Sequence, residues 1–238
     1  TALARAVRTD PENRLANRLL HSILDRYEFP RLLENETLDD FGLKFWKETP
    51  DGLVVFVTED GNLATQPPSF EDPVRVPGSN HLVIADATGK RLAVSNLQGG
   101  IYLIDLGKDP VSARVLLERE NKPSSEMAFS DNGDRLYTAS RGGTVRGWDG
   151  ASGELLWSHQ PGIVPLSLAV AIGGSHLAAG YQSGVVEFLD AETGEKSGPV
   201  FRLSSQVDHL FALSRNEFAC LLRDGTSARL KFSVAGKP

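Results

Sequence analysis

Cysteine occurs once in this chain of 238 residues, at Cys220. A single cysteine cannot close an internal disulfide and fits a reducing compartment; inside the apolar run FACLL it reads as a small packing residue. Histidine is scarce too, and His21, His81, His159, His176 and His209 lie far apart, without metal-ligand spacing. No run approaches the roughly 18 to 20 apolar residues of a membrane span, and the first residues carry no signal-like segment. A phosphate loop ending in Gly-Lys-Ser/Thr, an HExxH pair and a Gly-x-Ser-x-Gly elbow are all missing. Asp131-Asn132-Gly133-Asp134 lacks the alternating acids and closing Glu of a calcium loop and reads as a hairpin turn. The net charge of −6 disfavours bulk attraction to nucleic acid or anionic lipid. The resulting expectation is a cytoplasmic protein that is not an enzyme, with no metal, no cofactor, no nucleic acid and no membrane among its partners.

Glycine, by contrast, is plentiful and periodic. RLYTASRGGTVRGWDGASGELLW (135–157), HLAAGYQSGVVEFLDAETGEKSG (176–198) and FACLLRDGTSARLKF (218–232) repeat one phrase, with turn glycines Gly143, Gly184 and Gly225 at 41-residue intervals (184 − 143 and 225 − 184). Two fainter copies precede them, GKRLAVSNLQGGIYLID (89–105) around Gly99 and DGLVVFVTEDGNLATQ (51–66) around Gly61. A constant period of this size means one supersecondary unit copied in tandem. Runs such as RLAVS, GIYLID and VVEFLD are too short for helices, and glycine between them supplies the positive φ of a tight hairpin. Each unit has room for four short strands, and radial repetition of such sheets is how a propeller protects its edges. The expected fold is all-β, a propeller of about five four-stranded blades over residues 41–238, either a closed ring or a partial one.

The stretch FSDNGDRLYTASRGGTVRGWDGASGELLW (129–157) resembles a repeat of the WD-repeat β-propeller family, with Trp148-Asp149 at the family's Trp-Asp ending. The five units carry Gln66, Ile104, Trp148, Leu189 and Leu230 at the Trp position, and Pro67, Asp105, Asp149, Asp190 and Lys231 at the Asp position. No unit has the whole hydrogen-bonded tetrad that the family uses. His159 stands near the family's Gly-His site with Ser158 in place of the glycine; it is either a tetrad-like partner or a loop histidine.

Residues 1–30 are of different composition. Leu15, Leu19, Leu20, Ile23, Leu24 and Tyr27 follow the spacing of one apolar helix face, and Asp10-Pro11 reads as a helix stop and restart. ARAVRTDPENRLA (4–16) is similar to the junction between tetratricopeptide repeats, and a generic helical hairpin fits equally. Residues 31–40 read as a linker. Helical repeats followed by a WD-like propeller resemble the arrangement of large bacterial regulatory proteins. On that resemblance the chain is the docking or sensing end of a larger signalling protein whose catalytic module lies elsewhere, and the start at Thr1 within a helical pattern suits a fragment.

In a propeller, the turns between second and third strands share one rim. Here that rim displays Gln98, Arg141, Tyr181, Gln182 and Arg223, of which Arg141, Tyr181 and Arg223 are side-chain types that carry energy at protein interfaces. The favoured function is therefore a non-catalytic interaction module that docks a protein or peptide on this rim. An open five-blade arc would also expose apolar flanks and self-associate through them. The alternative follows from GGTVRGWDGASGELLW (142–157) and SGVVEFLDAETGEKSG (183–198), which also resemble the Gly…Asp-Ala-x-Thr-Gly…Trp repeats of quinoprotein enzymes and of outer-membrane assembly lipoproteins. That resemblance implies a redox enzyme fragment or an assembly scaffold.

Overall fold

Short alternating runs closed by Gly and Asp turns fold as antiparallel strands throughout the described part of the chain. The computed structural model describes residues 43–48, 54–58, 62–66, 74–76, 80–106, 113–117 and 122–232. The expected helical segment and linker lie outside these residues.

Among the described residues nineteen strands form five antiparallel sheets in chain order, in a propeller-like arrangement. Sheet 1 holds β1 (Leu43–Glu48), β2 (Val54–Thr58), β3 (Asn62–Gln66) and β4 (Val74–Arg75). Sheet 2 holds β5 (Asn80–Ala85), β6 (Arg91–Asn96), β7 (Ile101–Asp105) and β8 (Ala113–Leu117). Sheet 3 holds β9 (Ser124–Phe129), β10 (Arg135–Ser140), β11 (Thr144–Asp149) and β12 (Leu155–His159). Sheet 4 holds β13 (Pro165–Val170), β14 (His176–Tyr181), β15 (Val185–Asp190) and β16 (Phe201–Arg202). Sheet 5 has β17 (Val207–Ala212), β18 (Glu217–Leu222) and β19 (Ser227–Lys231) and, among the described residues, no fourth strand.

The register repeats as faithfully as the sequence. The residue at each unit's Trp position pairs with a second-strand residue 12 positions before it: Val54↔Gln66, Leu92↔Ile104, Leu136↔Trp148, Leu177↔Leu189 and Phe218↔Leu230. The turn glycines Gly99, Gly143, Gly184 and Gly225 have φ of 83°, 88°, 78° and 83°, a region that residues with a Cβ enter only at a cost. Changing the spacing by one residue would turn every strand's apolar side away from its neighbour.

The core lies between the sheets. Four apolar clusters occupy the four seams: Val57 with Leu92 and Val94 between sheets 1 and 2, Ala93 and Ile101 with Leu136 and Trp148 between sheets 2 and 3, Val145 and Trp157 with Leu177 and Leu189 between sheets 3 and 4, and Val186 and Phe188 with Phe218 and Leu230 between sheets 4 and 5. The second strands of the inner sheets thus alternate between two seams and are buried on both faces, as in β6, β10 and β14. First strands neighbour first strands along the arc, β1 to β5 to β9 to β13 to β17. Among the described residues no comparable packing joins sheet 5 back to sheet 1.

Candidate interaction surface

The rim is built by one recurring backbone bond. The residue after each second strand ties its N–H to the loop entering that sheet's first strand: Arg141 N donates to Pro123 O (3.1 Å), Gln182 N to Val164 O (3.0 Å) and Arg223 N to Gln206 O (2.9 Å). Their backbones are held in equivalent places on three neighbouring sheets, and their side chains are exposed. Gln98 is exposed beside Leu97 on the matching turn of sheet 2. Arg223 lies 3.8 Å from Asp208, whose carboxylate also accepts from Gln206 Nε2 at 2.7 Å. Asp224 accepts from the Thr226 hydroxyl (2.6 Å) and N–H (2.9 Å), and these bonds hold its carboxyl below the usual range. Arg141, Gln182 and Arg223 therefore share one solvent-facing repeat position, and Gln98 is exposed one residue further along the equivalent turn.

Tyr181 does not join them. It is 0% exposed, and its hydroxyl donates to Glu187 Oε2 at 3.2 Å. The reason lies in its repeat position: Asn96, Ser140, Tyr181 and Leu222 all end a second strand, and all four are buried. The next residue in each turn is the one that faces water.

Beneath the row, Tyr181 belongs to a polar cluster that sequence reading missed. Glu187 accepts from Lys196 Nζ (2.7 Å) and Tyr181, and His159 Nε2 from sheet 3 lies 3.5 Å from the same carboxylate. Burial pushes Glu187 up, but the bond and charge of Lys196, then Tyr181 and His159, outweigh it and hold the carboxyl below its ordinary value. Burial and the neighbouring carboxylate push the Tyr181 phenol well above the usual tyrosine range. His159 thus bridges two sheets through a carboxylate. The glutamate had no visible signal in the sequence because Glu187 stands in an apolar run, VVEFLD, where its partners come from other elements.

The repeat aspartates close their own turns. Asp149 Oδ1 accepts from Ser152 N (2.7 Å), Ser152 Oγ (3.0 Å) and Ala151 N (3.0 Å), while Arg135 lies 3.2 Å from Oδ2. Asp190 repeats the pattern with Thr193 N (2.9 Å), Thr193 Oγ1 (3.2 Å) and Glu192 N (3.0 Å). The Ser152 bonds lower the Asp149 carboxyl; at Asp190 burial acts upward and the Thr193 and Glu192 bonds prevail. Asp105 ends β7 at the same repeat position. Trp148 is 3% exposed and donates its indole N–H to Thr138 Oγ1 at 3.0 Å.

On the opposite rim a cleft of about 380 Å³ opens between sheets 3 and 4, lined by Asp131, Asp134, Arg135, Tyr137, Gly173 and Glu192 with their neighbours. Its polar groups are engaged in turn structure. Asp131 accepts from Gly173 N at 3.0 Å, Asn132 Nδ2 donates to Asp134 at 2.6 Å, and Arg135 pairs with Asp149. Asp131-Asn132-Gly133-Asp134 is indeed a hairpin turn, with Gly133 N donating to Ser130 O at 2.9 Å. Tyr137, pushed up to about 12 by burial, donates to Ala191 O at 3.2 Å. Among the described residues no group of three or more His, Cys, Asp or Glu side chains is gathered as a metal site, and no helix is long and apolar enough to cross a membrane.

No protein-family model and no curated protein matches the sequence. Solved structures do match, 1746 chains in all, among them the crystal structure of the computationally designed Ika8 protein. That protein is 18% identical to this chain, with a TM-score of 0.58 over 80% of it, and the chain spans 57% of the designed protein's length. An identity this low establishes a shared fold and leaves function to the residues themselves.

Proposed function

We propose that the chain is a non-catalytic interaction module, a WD-like propeller or part of one that docks a protein or peptide on the rim formed by Gln98, Arg141, Gln182 and Arg223. The observation that carries this reading is the row itself: one repeat position on three adjacent sheets, with backbones anchored by equivalent bonds and long polar side chains turned to solvent. Rigid presentation lowers the entropy lost on binding, and arginine is favoured at the centre of protein interfaces. The two guanidinium groups suit carboxylates on the partner. In this reading the module serves a larger cytoplasmic signalling protein of the bacterial kind that its sequence resembles.

One observation favours the quinoprotein-like repeat in its scaffold form. Trp157, at the Trp of the Gly…Asp…Gly…Trp pattern, donates Nε1 to Ala191 O of the next sheet at 3.2 Å and packs on Gly194 there. That contact locks one sheet to the next through the tryptophan of the pattern. Both readings place the partner on an exposed face.

The test is site-specific photocrosslinking in the host cell, with the crosslinker at position 98 or 182 and, as control, at Glu154 on the opposite rim. The expected result is one partner captured from both rim positions and not from 154, and lost with Arg141→Glu plus Arg223→Glu. Equal capture from all three positions, or capture unaffected by the charge reversals, overturns the reading.

A further inference from the structure

The two rims of this molecule carry opposite charge. On the rim opposite the row, Asp131, Asp134, Glu154, Glu192 and Glu195 stand exposed in the turns. Lys90 is exposed there too, while Arg91 is engaged by Gly133 O at 2.8 Å and Arg135 by Asp149 at 3.2 Å. Around the row the free charges are cations. Arg141 is joined by Lys122, which precedes the proline whose carbonyl accepts from Arg141 N, and by Arg202, which pairs with Val185 beside the Gly184 turn. All three are exposed, and among the described residues no carboxylate pairs with any of them. The acids of this rim are engaged locally, Asp208 by Gln206 and Arg223, and Asp224 by Thr226. A chain of net charge −6 thus turns uncompensated cations to solvent on one face, a local field that attracts an acidic partner.

Aliphatic side chains interrupt these cations. Ile163 is 38% exposed, and its carbonyl oxygen lies 3.6 Å from the place that a Cβ on Gly143 would take. The next residue, Val164, accepts from Gln182 N at 3.0 Å. Ile163 is therefore fixed between the Arg141 turn of sheet 3 and the Gln182 turn of sheet 4. On sheet 2 the repeat position of Arg141 is held by Leu97, since Gly99 N bonds Asn96 O as Gly143 N bonds Ser140 O, and Leu97 is 52% exposed. This mixture disfavours nucleic acid, because no exposed aromatic ring stands on the described part of the rim to stack a base, Tyr181 being buried. Cations around an aliphatic side chain instead suit a peptide, whose carboxylates set the register while an apolar residue adds buried area.

We propose that the rim recognises an acidic linear segment of its partner, with an aliphatic side chain seated on Ile163 and carboxylates on either side of it, toward Arg141 and Lys122 in one direction and toward Arg202 and Arg223 in the other. This rests on the reading of the rim as the docking surface and gives the partner its chemistry. The carboxylates supply attraction and orientation, and Ile163 supplies the apolar contact.

A phage-displayed library of random linear peptides tests it, selected on the immobilised full chain and depleted on its Arg141→Glu plus Arg223→Glu variant, each variant first shown to melt like the unmodified chain. The enriched peptides should carry an aliphatic residue between acidic ones. A fluorescein-labelled synthetic copy of the most enriched peptide should bind the doubly reversed chain at least about tenfold more weakly, and the same loss should follow when its own acids are replaced by lysine. Ile163→Ser should weaken it at least about fivefold, whereas Glu154→Lys on the opposite rim should leave its affinity within about twofold, as expected of a distant exposed charge. No enrichment over the reversed chain overturns the proposal, as do enriched peptides without acids and an affinity indifferent to Ile163→Ser. Labelled oligothymidylate that binds as tightly as the peptide, and is lost with the same reversals, overturns it in favour of nucleic acid. Capture of a partner from positions 98 and 182 alongside any of these results keeps the rim as an interface and removes only this chemistry, while equal capture from 154 removes the rim itself.

Discussion

The indole of Trp157 occupies the space that a Cβ on Gly147 would need. In the next repeat the same two positions are held by Phe188 and Gly198, 41 residues on in each case (188 − 147 and 198 − 157), with the sizes exchanged. A Cβ on Gly198 would come within 3.0 Å of Phe188 Cβ. The large member turns to a different neighbour in each case. Trp157 bonds Ala191 of the following sheet, and Phe188 joins Phe218 and Phe232, with centroids 5.1 and 4.4 Å away.

Gly147→Ala should displace the indole and cost about 1 to 3 kcal/mol, the usual range for an overpacked site. Trp157→Ala should cost about 3 to 5 kcal/mol by emptying it. In the double variant the alanine at 147 no longer meets a ring, so the two losses should fall short of additivity by more than about 0.5 kcal/mol. Urea denaturation of the four proteins measures this, and strict additivity would place the two side chains apart.

Trp148→Ala should cost on the order of 3 kcal/mol, since the ring is buried beside Leu136 and its N–H bond to Thr138 is lost. Thr138→Val should cost about 1 kcal/mol or more, because it leaves the indole N–H without its acceptor while keeping the shape. A loss below about 1 kcal/mol for Trp148→Ala would contradict its burial.

Two glutamates, Glu126 partly buried and Glu187 buried, should respond to pH in opposite senses. Burial raises the Glu126 carboxyl, with the Met127 N–H and the charge of His209 acting weakly downward. Its folded form therefore holds the proton more tightly than the unfolded form, and stability falls as pH rises from the ordinary carboxylate range through the raised value. At Glu187 the net shift is downward, so its contribution is present above the ordinary carboxylate range and is lost as pH falls through the lowered value. Glu126→Gln should raise the midpoint of thermal unfolding at pH 7 and have little effect near pH 3. Glu187→Gln should lower it at pH 7, with the difference shrinking on acidification. Melting curves at the two pH values decide both, and the same sign for the two variants at pH 7 would refute the assignment.

Much of the fold could be read locally. Gly99, Gly143, Gly184 and Gly225 mark turns because positive φ leaves few alternatives, and pairing Leu136 with Trp148 follows once the turn is placed. The rim positions of Arg141, Gln182 and Arg223 follow from the same register. Tyr181 misleads because aromatic rings occur both at interfaces and in cores, and only its repeat column, shared with the buried Ser140 and Leu222, separates the two.

The sequence by itself determined the period and the tight turns that join neighbouring strands, since these depend on backbone conformation and alternation over a few residues. Only the tertiary structure decided what the sheets do to one another: that Trp157 locks onto Ala191, that His159 of one sheet faces Glu187 of the next, and that Phe211 and Leu221 are exposed. Those outcomes depend on how side chains from separate repeats share a single space. A large residue at one position is accommodated by a small one tens of residues away, and no local pattern carries that information.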